Sequence, residues 1–322
     1  MYDIPLILED YLNYMETIRG ISPNTVKEYY YDLSTFFRYI KIRYRMVPRG
    51  TELEDIEIHD IDLDLIKRIT LQDLHAYISF ADKTLKNGNH AKARKVSSLR
   101  SFFNYLYSKV NLIDKNPAEA LESPKTNTRY PVYLTLEQAE NLLDAVLENP
   151  NEEYRKRDYA IIMLFLNCGL RLSELSSIDI SKIKSNGTLS VIGKGNKERT
   201  IYLNEACQKA IADYLEVRPK EVKDPDALFI SKRKNRMSNR AIQHMVDRYF
   251  KKIGLDTKVY SVHKLRHTAA TLMYKHGNVD IRALKEILGH ESVSTTQIYT
   301  HIDDDRLRDA VKSNPLANRI KK

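Results

Sequence analysis

The fold of the second half of this chain is decided at residues 159–175, which read YAIIMLFLNCGLRLSEL. The run from Tyr159 to Asn167 predicts an apolar helix. Gly169 can end that helix, and Ser173 lies near enough to help start another. We therefore expect Arg171 in a turn between two helices, where its side chain can point into a cleft. The alternative is a surface arginine in a tight turn.

One segment downstream departs from the helical pattern of this half. Residues 188–203 read TLSVIGKGNKERTIYL, in which two β-branched runs flank a glycine-rich turn. This pattern predicts a β-hairpin. Lys194 lies between Gly193 and Gly195 at its tip, and flanking glycines permit the close approach of another backbone, such as a nucleic-acid strand. A solvated lysine in a polar turn is the alternative.

The first half also reads as helices. Polar capping patterns predict helix starts at Ser22 and Thr70, and a third such pattern at Thr135 predicts the first helix of the second domain. The polar, proline-bounded stretch 123–131 is typical of a linker. The sequence thus predicts a mainly α protein with a small β-hairpin, organised as a helical domain over 1–122, a linker over 123–131 and a second domain over 132–322.

Two helices of the first domain carry many basic residues, which we interpret as exposed faces that could contact DNA. The candidates for DNA contact are Lys27 and Arg43 on one helix, and Lys92, Arg94, Lys95 and Arg100 on the other; Arg38, Lys41 and Arg45 share the first of these faces. Ordinary solvated faces are the alternative.

An acidic insert lies near residues 50–65 of the first domain. Glu52 to Asp64 contains seven acidic residues and no Lys or Arg, and Ile or Leu alternates with acids along it. This alternation predicts a short strand or an extended loop. Its charge would repel DNA, so we expect it to face away from DNA. A plain surface loop and a regulatory or partner-binding insert both remain open.

The positive charge belongs to the second half. Of 52 Lys and Arg and 43 Asp and Glu, residues 1–122 hold 17 and 18, which leaves 35 and 25 for residues 123–322. Without the acidic insert the first half would also be basic, at +6 rather than −1. Such an excess favours a polyanionic partner.

The composition also excludes several classes of protein. No apolar run approaches the ~20 residues that span a bilayer, and the acidic N-terminus is unlike a signal peptide. The two cysteines are too few for a disulfide framework. We expect a soluble cytosolic protein.

Two further motifs follow in the second half. His263-Lys-Leu-Arg266-His267 predicts a helix on which His263 and Arg266 share a face. The two histidines also have zinc-ligand spacing, but no acid lies nearby and Arg266 would repel a cation; a helix-face histidine is the plain alternative. Leu-Gly-His290 precedes Tyr299 by nine residues, and a core tyrosine is the alternative there.

Together these residue types suit phosphoryl transfer without a metal ion. Arginines bind phosphate oxygens in a bidentate manner and remain charged. They can stabilise the extra negative charge of a pentavalent transition state, a task often given to Mg²⁺. A tyrosine can act as the nucleophile, but its ordinary pKa of ~10 means that it needs help to lose its proton.

As an ordered series, the motifs resemble those of the tyrosine recombinases, the lambda-integrase-like family of DNA strand-exchange enzymes. The resemblance covers almost the whole chain and rests on Gly-Leu-Arg171-x-Ser-Glu174, Gly-Lys194-Gly, His263-x-Leu-Arg266-His and Leu-Gly-His290 through Tyr299. The compact size and the pattern Leu-Gly-His-x8-Tyr-Thr-His most resemble the Xer-type recombinases. The acidic insert is longer than in the simplest Xer proteins, so an integrase or excisionase of a mobile element stays open.

The resemblance implies a role for each motif residue. Tyr299 would attack the scissile phosphate to form a 3′-phosphotyrosyl intermediate, and the strands would exchange through a Holliday junction. Arg171 and Arg266 would bind the phosphate, and Lys194 would protonate the leaving 5′-oxygen. His263 would assist proton transfer at the nucleophile, His290 would hydrogen-bond the phosphate, and Glu174 would orient its neighbours. No cofactor and no metal is implied.

The resemblance also implies partners and alternatives. It implies duplex DNA with an inverted-repeat site, and a homotetramer, or a heterotetramer with a paralogue, in which the tail 316–322 docks on a neighbouring subunit. Chromosome dimer resolution in a nucleoid-associated, cytoplasmic setting, with an accessory regulator as a further partner, would follow. A non-catalytic DNA-binding regulator and a relaxing enzyme of the type IB topoisomerase kind are the alternatives, and the intact set of motif residues argues against the regulator.

Overall fold

The computed structural model of the protein describes residues 4–125, 131–193, 198–277, 279–289 and 292–302. Across these ranges the chain is mainly helical with one two-stranded antiparallel sheet, which confirms the predicted fold class. The chain divides into a first unit, residues 1–128, and a second unit, residues 129–322. Most of the predicted linker lies outside the described residues.

The first unit is built from helices that begin at the predicted capping residues. The Ser22 hydroxyl accepts the Thr25 N–H, and Thr70 and Asp73 form a reciprocal capping box, so both predicted starts are confirmed. The helices are α1 (Leu6–Asn13), α2 (Pro23–Arg43), α3 (Leu63–Arg68), α4 (Leu71–Lys83) and α5 (Asn89–Ser108), and a π-helical turn (Tyr14–Ile18) continues α1.

Aromatic side chains fill the core of this unit. The rings of Tyr11 and Phe102 meet edge to face with centroids 5.3 Å apart, and Phe36 meets Tyr77 in the same manner at 5.2 Å. Such pairs contribute roughly 0.5–1.5 kcal/mol beyond their burial. The long helices α2 and α5 supply most of these rings and therefore form the centre of the unit.

The acidic insert is a loop, and the predicted alternative of a short strand is wrong. It contains a 3-10 turn (Leu53–Asp55) and then irregular chain up to α3. Its isoleucines are buried in the unit, while Asp60 pairs with Lys41 of α2 at 2.8 Å. The alternation of Ile with acids therefore reflects a loop with one apolar side, because its backbone bonds are not those of a sheet ladder.

The second unit holds the predicted hairpin, with β1 (Thr188–Ile192) and β2 (Glu198–Tyr202) paired antiparallel and Val191 opposite Arg199. The helices are α6 (Leu136–Leu147), α7 (Glu152–Cys168), α8 (Leu172–Ser176), α9 (Glu205–Val217), α10 (Asn239–Lys252), α11 (Val262–His276) and α12 (Ile281–Leu288). Short 3-10 turns cover Ile180–Lys182, Val293–Thr295 and Gln297–Ile302. The capping box predicted at Thr135 is confirmed.

The central helix of this unit is α7, whose apolar run from Ala160 to Leu166 is buried. It packs against α6, α9 and α11, which explains why the run lacks a polar face. Gly169 ends α7 as predicted, and the next helix begins at Leu172, with Arg171 rather than Ser173 at its N-cap position. Glu174 is the third residue of α8, where its carboxylate reaches back to the Arg171 N–H.

Candidate active site

Two helix ends lie side by side in the second unit, and each is closed by a glycine in the left-handed region. Gly169, after α7, has φ +58°, and Gly289, after α12, has φ +64°. A Cβ on Gly169 would lie 2.8 Å from Leu288 Cδ2, and a Cβ on Gly289 would lie 2.8 Å from Arg199 Cδ. Glycine is therefore required at both positions, for its conformation and for its small size.

The Glu174 carboxylate lies between these helix ends, buried and surrounded by donors. Its Oε2 accepts the backbone N–H of Arg171 at 2.7 Å and Nη2 of Arg199 at 2.8 Å. Its Oε1 accepts Nη1 of Arg171 at 2.7 Å. Burial alone would raise the pKa of Glu174, but the bonds from Arg199 and Arg171 hold it below its ordinary value. Glu174 is therefore ionised near neutral pH.

Three arginines bond to successive carbonyl oxygens at the end of α12. Arg199 donates to the Ile287 carbonyl, Arg266 to that of Leu288 at 2.6 Å and Arg171 to that of Gly289 at 2.8 Å. The last carbonyls of a helix have no partner within it and carry the negative end of its dipole. The arginines therefore supply hydrogen-bond donors to these carbonyls, and the carbonyls hold the three side chains close together.

The cluster retains positive charge in excess, because Arg171, Arg199 and Arg266 oppose one carboxylate, Glu174. Burial and the charge of Arg171 lower the pKa of Arg266 to about 10, so its guanidinium stays protonated at neutral pH. Each guanidinium has more N–H donors than these bonds use. The cluster can therefore bind a phosphate.

Tyr299 lies in the 3-10 turn Gln297–Ile302 and is 1% exposed. Its ring packs in an apolar cluster with Ala270, Leu284 and Leu288. Its hydroxyl lies 2.8 Å from Nδ1 of His267. Burial raises the pKa of Tyr299 to about 12, against the opposing effect of the Arg266 charge. The tyrosine is therefore protonated in this structure.

The His267 ring is neutral near physiological pH. Burial, together with the charges of Lys264 and Arg266, lowers its pKa to about 4. A neutral imidazole can accept a proton at one ring nitrogen. The Tyr299 hydroxyl is thus hydrogen-bonded to a neutral ring on the helix that also carries Arg266.

Of the predicted motif residues, the structure brings Arg171, Glu174 and Arg266 together at the end of α12, with Tyr299 packed on Leu288 of the same helix. His263 is exposed on the first turn of α11. Lys194 and His290 lie outside the described residues, as does the tail 316–322.

Sequence reasoning missed two residues of the site. It considered His267 only as a zinc ligand, and it did not single out Arg199. The strand pattern carried a signal for Arg199, because residues two apart in a strand share a face and Ile201 is buried. For His267 no pattern in the sequence indicates which of the two histidines meets Tyr299, since that contact spans 32 residues.

The basic faces predicted in the first unit are only partly exposed. Lys95 and Lys41 are buried, at 7% and 6%, and the prediction that they lie on exposed faces is wrong. Lys95 bonds Asp32 and Lys41 bonds Asp60, because each helix face packs against an acidic neighbour. The remaining basic candidates divide into Arg43, Lys92 and Arg94, which pair with carboxylates, and Lys27 and Arg100, which are exposed.

A basic groove of about 580 Å³ lies in the second unit between α10 and the loop before it. The groove is lined by the basic side chains of Arg157, Lys232, Arg233, Arg236, His244 and Arg248. Lys232, Arg233 and Arg248 are exposed. Arg157 and Arg248 pair with Asp158, and Arg236 pairs with Asp179 and Asp224, so carboxylates offset part of this charge. An exposed basic surface still suits a polyanion, and the groove was not predicted from the sequence.

Two family descriptions match the chain. That of the phage integrase family matches residues 132–306, and that of the phage integrase N-terminal SAM-like domain matches residues 8–109.

Relatives and solved structures agree with these matches. The chain is 57% identical over 314 residues to tyrosine recombinase XerC of Caldanaerobacter subterraneus subsp. tengcongensis, covering 97% of this chain and 88% of the relative. It is 34% identical to that of Thermodesulfovibrio yellowstonii, covering 98% and 99%. The XerH site-specific recombinase bound to a palindromic difH substrate after cleavage is similar in fold, with a TM-score of 0.72, 22% identity and coverage of 95% and 84%.

No helix in the described part of the chain is long and apolar enough to cross a membrane.

Proposed function

Since the chain belongs to the phage integrase family of tyrosine recombinases, and is thus a site-specific recombinase, we propose that Tyr299 is its nucleophile. Arg171 and Arg266 bind the scissile phosphate. The observation that carries this assignment is the gathering of Arg171, Glu174 and Arg266 at the end of α12, with Tyr299 packed on the same helix and bonded to His267.

The reaction follows from the chemistry of these groups. The Tyr299 oxygen attacks phosphorus, the bond to the 5′-oxygen breaks, and a 3′-phosphotyrosyl bond forms. The tyrosine proton passes to a base, and the leaving 5′-oxygen takes up a proton, for which Lys194 is the proposed donor. The phosphotyrosyl bond conserves the energy of the phosphodiester, so the second strand's 5′-hydroxyl can reverse the attack without a cofactor.

The arginines stabilise the charge that develops on the phosphate. Arg171 and Arg266 are held by Glu174 and by backbone carbonyls, so their orientation is set before DNA binds. Donors fixed in advance spend no energy on reorganisation in the transition state. His290 is proposed as a further donor to the phosphate, and Glu174 acts by orienting Arg171.

Deprotonation of Tyr299 is the demanding step, because burial raises its pKa to about 12. His267, 2.8 Å from the hydroxyl, supports a role in holding the Tyr299 oxygen in place, because a ring with its pKa lowered to about 4 is a weak base. His263, exposed at the start of α11, is proposed to assist proton transfer at the nucleophile.

The partner is duplex DNA with an inverted-repeat site. The excess positive charge of the second half supports this, as does the basic groove beside α10. In the first unit the exposed Lys27 and Arg100 are the candidates that remain free to contact DNA without first leaving a carboxylate. Most such contacts go to phosphates and give affinity rather than sequence specificity.

The biological role we propose is that of the Xer recombinases, the resolution of chromosome dimers by a tetramer on two DNA sites. Its support is the 57% identity to a tyrosine recombinase XerC over nearly the whole chain. The protein then acts in the cytoplasm at the nucleoid, alone or with a paralogue, and the tail 316–322 docks on a neighbouring subunit.

The test is covalent capture. Wild-type protein is mixed with fragmented genomic DNA, denatured, and the fragments that stay attached are sequenced. We expect one inverted-repeat site to be enriched. Tyr299→Phe should shift the same fragment in a binding assay and retain none after denaturation. Adducts in that variant, or no adduct with the wild type, would contradict the proposal.

A further inference from the structure

Arg199 stands out because it belongs to none of the motifs, yet it bonds to two parts of the site at once. It lies on β2, five positions along the chain from Lys194, and its side chain is mostly buried. Its guanidinium donates to both oxygens of Glu174, from Nη2 at 2.8 Å and from Nε at 3.4 Å. Its Nη1 donates to the Ile287 carbonyl.

We propose that Arg199 is a positioning residue of the recombination reaction, which fixes the Arg171 guanidinium through Glu174 and fixes the end of α12, to which Arg171 is also bonded. This inference rests on the proposed role of Arg171. Arg199 does not need to touch the phosphate, because each of its bonds goes to a group that holds another residue.

The first connection runs through Glu174. The carboxylate accepts from Arg171 and Arg199 on the same pair of oxygens, so removing Arg199 leaves it held by Arg171 alone, through its backbone N–H and Nη1. The Arg171 guanidinium then bonds a carboxylate with fewer restraints, while its second bond, to the Gly289 carbonyl, still tethers it. A displaced guanidinium of this kind costs far more in the transition state than in DNA binding.

The second connection runs through α12. The carbonyls of residues 287, 288 and 289 are each bonded to a different arginine, and Arg199 takes the first of them. The side chain of Arg199 also packs against Gly289, where a Cβ would lie 2.8 Å from its Cδ and 3.0 Å from its Nε.

Lysine cannot replace Arg199 fully. An ammonium group can bond Glu174 or the Ile287 carbonyl, but it lacks the planar fork that reaches both at once. The charge next to Glu174 would be kept and the bridge to α12 lost. The pair of variants Arg199→Met and Arg199→Lys therefore separates the two connections.

The experiment measures single-turnover cleavage of a nicked duplex that carries the site found by covalent capture, alongside the affinity for that duplex. Arg199→Met should bind within about threefold of wild type and cleave about 100-fold more slowly. Arg199→Lys should recover part of this loss. Arg218→Met is the matched control, since Arg218 also ties a helix to backbone carbonyls, those of Pro225 and Ala227, but lies outside the site.

A pH profile distinguishes positioning from general loss of structure. The charged groups facing Glu174 are Arg171 before α8, Arg199 on β2 and Arg266 on α11. Burial raises the pKa of Glu174, and Arg199 is one of the groups that lower it. Without Arg199 the pKa of Glu174 should rise, so the carboxylate takes up a proton at a higher pH. Cleavage by Arg199→Met should therefore fail at a higher pH on the acid side than cleavage by wild type, and this shift should vanish when Glu174→Gln is added.

The outcomes separate this inference from the proposed function. If Arg171→Met abolishes cleavage while Arg199→Met cleaves like wild type with the same acid limb, Arg199 is not a positioning residue and the site assignment stands. The positioning role of Arg199 is equally overturned if Arg218→Met slows cleavage as much as Arg199→Met does. If Arg171→Met cleaves normally, the phosphate-binding assignment itself is wrong.

Discussion

Asp32 in the first unit and Glu174 in the second are buried carboxylates that each bond two basic side chains, and the two clusters differ in how many donors those basic groups have left for another partner. In the first unit Asp32 of α2 meets Lys95 and Arg94 of α5 at 2.9 and 2.8 Å. In the second unit Glu174 meets Arg171 and Arg199. Composition alone would make them equivalent.

The pKa values of the two carboxylates shift in opposite directions. Burial raises the pKa of Asp32 despite its bonds to Lys95 and Arg94, whereas the pKa of Glu174 is lowered despite its burial. The difference follows from the donors, because Glu174 accepts a backbone N–H and two guanidinium groups. Glu174 is thus the better partner for holding cations in a fixed orientation.

The cations also differ. Lys95 is buried and its ammonium bonds Asp32, so it serves packing between α2 and α5. The Arg171 side chain is 29% exposed and is spread over Glu174 and the end of α12, with donors to spare. A basic residue is therefore available to an anion only if its partners orient the side chain and leave some of its N–H donors unbonded.

The largest effect we predict from this contrast is on chemistry. Arg171→Met should lower the rate of single-turnover cleavage about 1,000-fold, as loss of a preorganised donor to developing charge does. DNA binding should change little, because one phosphate contact among many is lost. Measured cleavage within tenfold of wild type would remove Arg171 from the reaction.

The corresponding change in the first unit should act on stability alone. Lys95→Met leaves the buried Asp32 with Arg94 and should lower the free energy of unfolding by about 3 kcal/mol. Denaturant unfolding measures the loss. Arg100→Met, on the exposed side of the same helix, is the control and should stay within about 0.5 kcal/mol. Equal stability of the two variants would contradict the structural role of Lys95.

A smaller effect concerns pH. The native pKa of Glu174 is lowered from 4.5, so its charge stabilises the fold above that pH, and this stability is lost as pH falls through the lowered value. Unfolding measured between pH 6 and 3 should therefore be less steeply pH-dependent in Glu174→Gln. An unchanged slope would mean that the pKa of Glu174 is the same in the folded and unfolded chains.

The smallest expected effect is none at all. The arginine cluster supplies the positive charge that a metal ion provides in other phosphoryl transfers, so cleavage by the wild type should persist in excess EDTA. The control repeats the assay after adding back Mg²⁺. Loss of cleavage in EDTA, restored by Mg²⁺, would show that the arginines do not suffice.

Local signals in the sequence predicted local structure well. Hydrogen bonds between residues a few positions apart form the helix caps at Ser22, Thr70 and Thr135 and the end of α7 at Gly169. A short sequence pattern therefore contains both partners of each bond. The hairpin was predicted in the same way, from two β-branched runs that pair as β1 and β2. The helix predicted near Ser173 is α8, but Glu174 rather than Ser173 supplies its cap.

Partners distant in the sequence could not be predicted. Lys95 was placed on an exposed face because helical spacing does not reveal Asp32, 63 residues away. Arg199 was overlooked because its partners, Glu174 and Ile287, belong to other elements. The motif residues of the site were singled out from local patterns, each with a plain alternative, and the resemblance to a family gave them their individual roles, since a lone arginine or tyrosine carries no such signal.

The central claim is that Tyr299, held beside this cluster, forms the covalent bond to DNA. The most direct test digests the captured adduct with nuclease and trypsin and locates the attached nucleotide by mass spectrometry. The tryptic peptide 286–306 contains Tyr299 as its single tyrosine. We predict a 3′-phosphonucleotide on that residue. A nucleotide on any other residue would contradict the account.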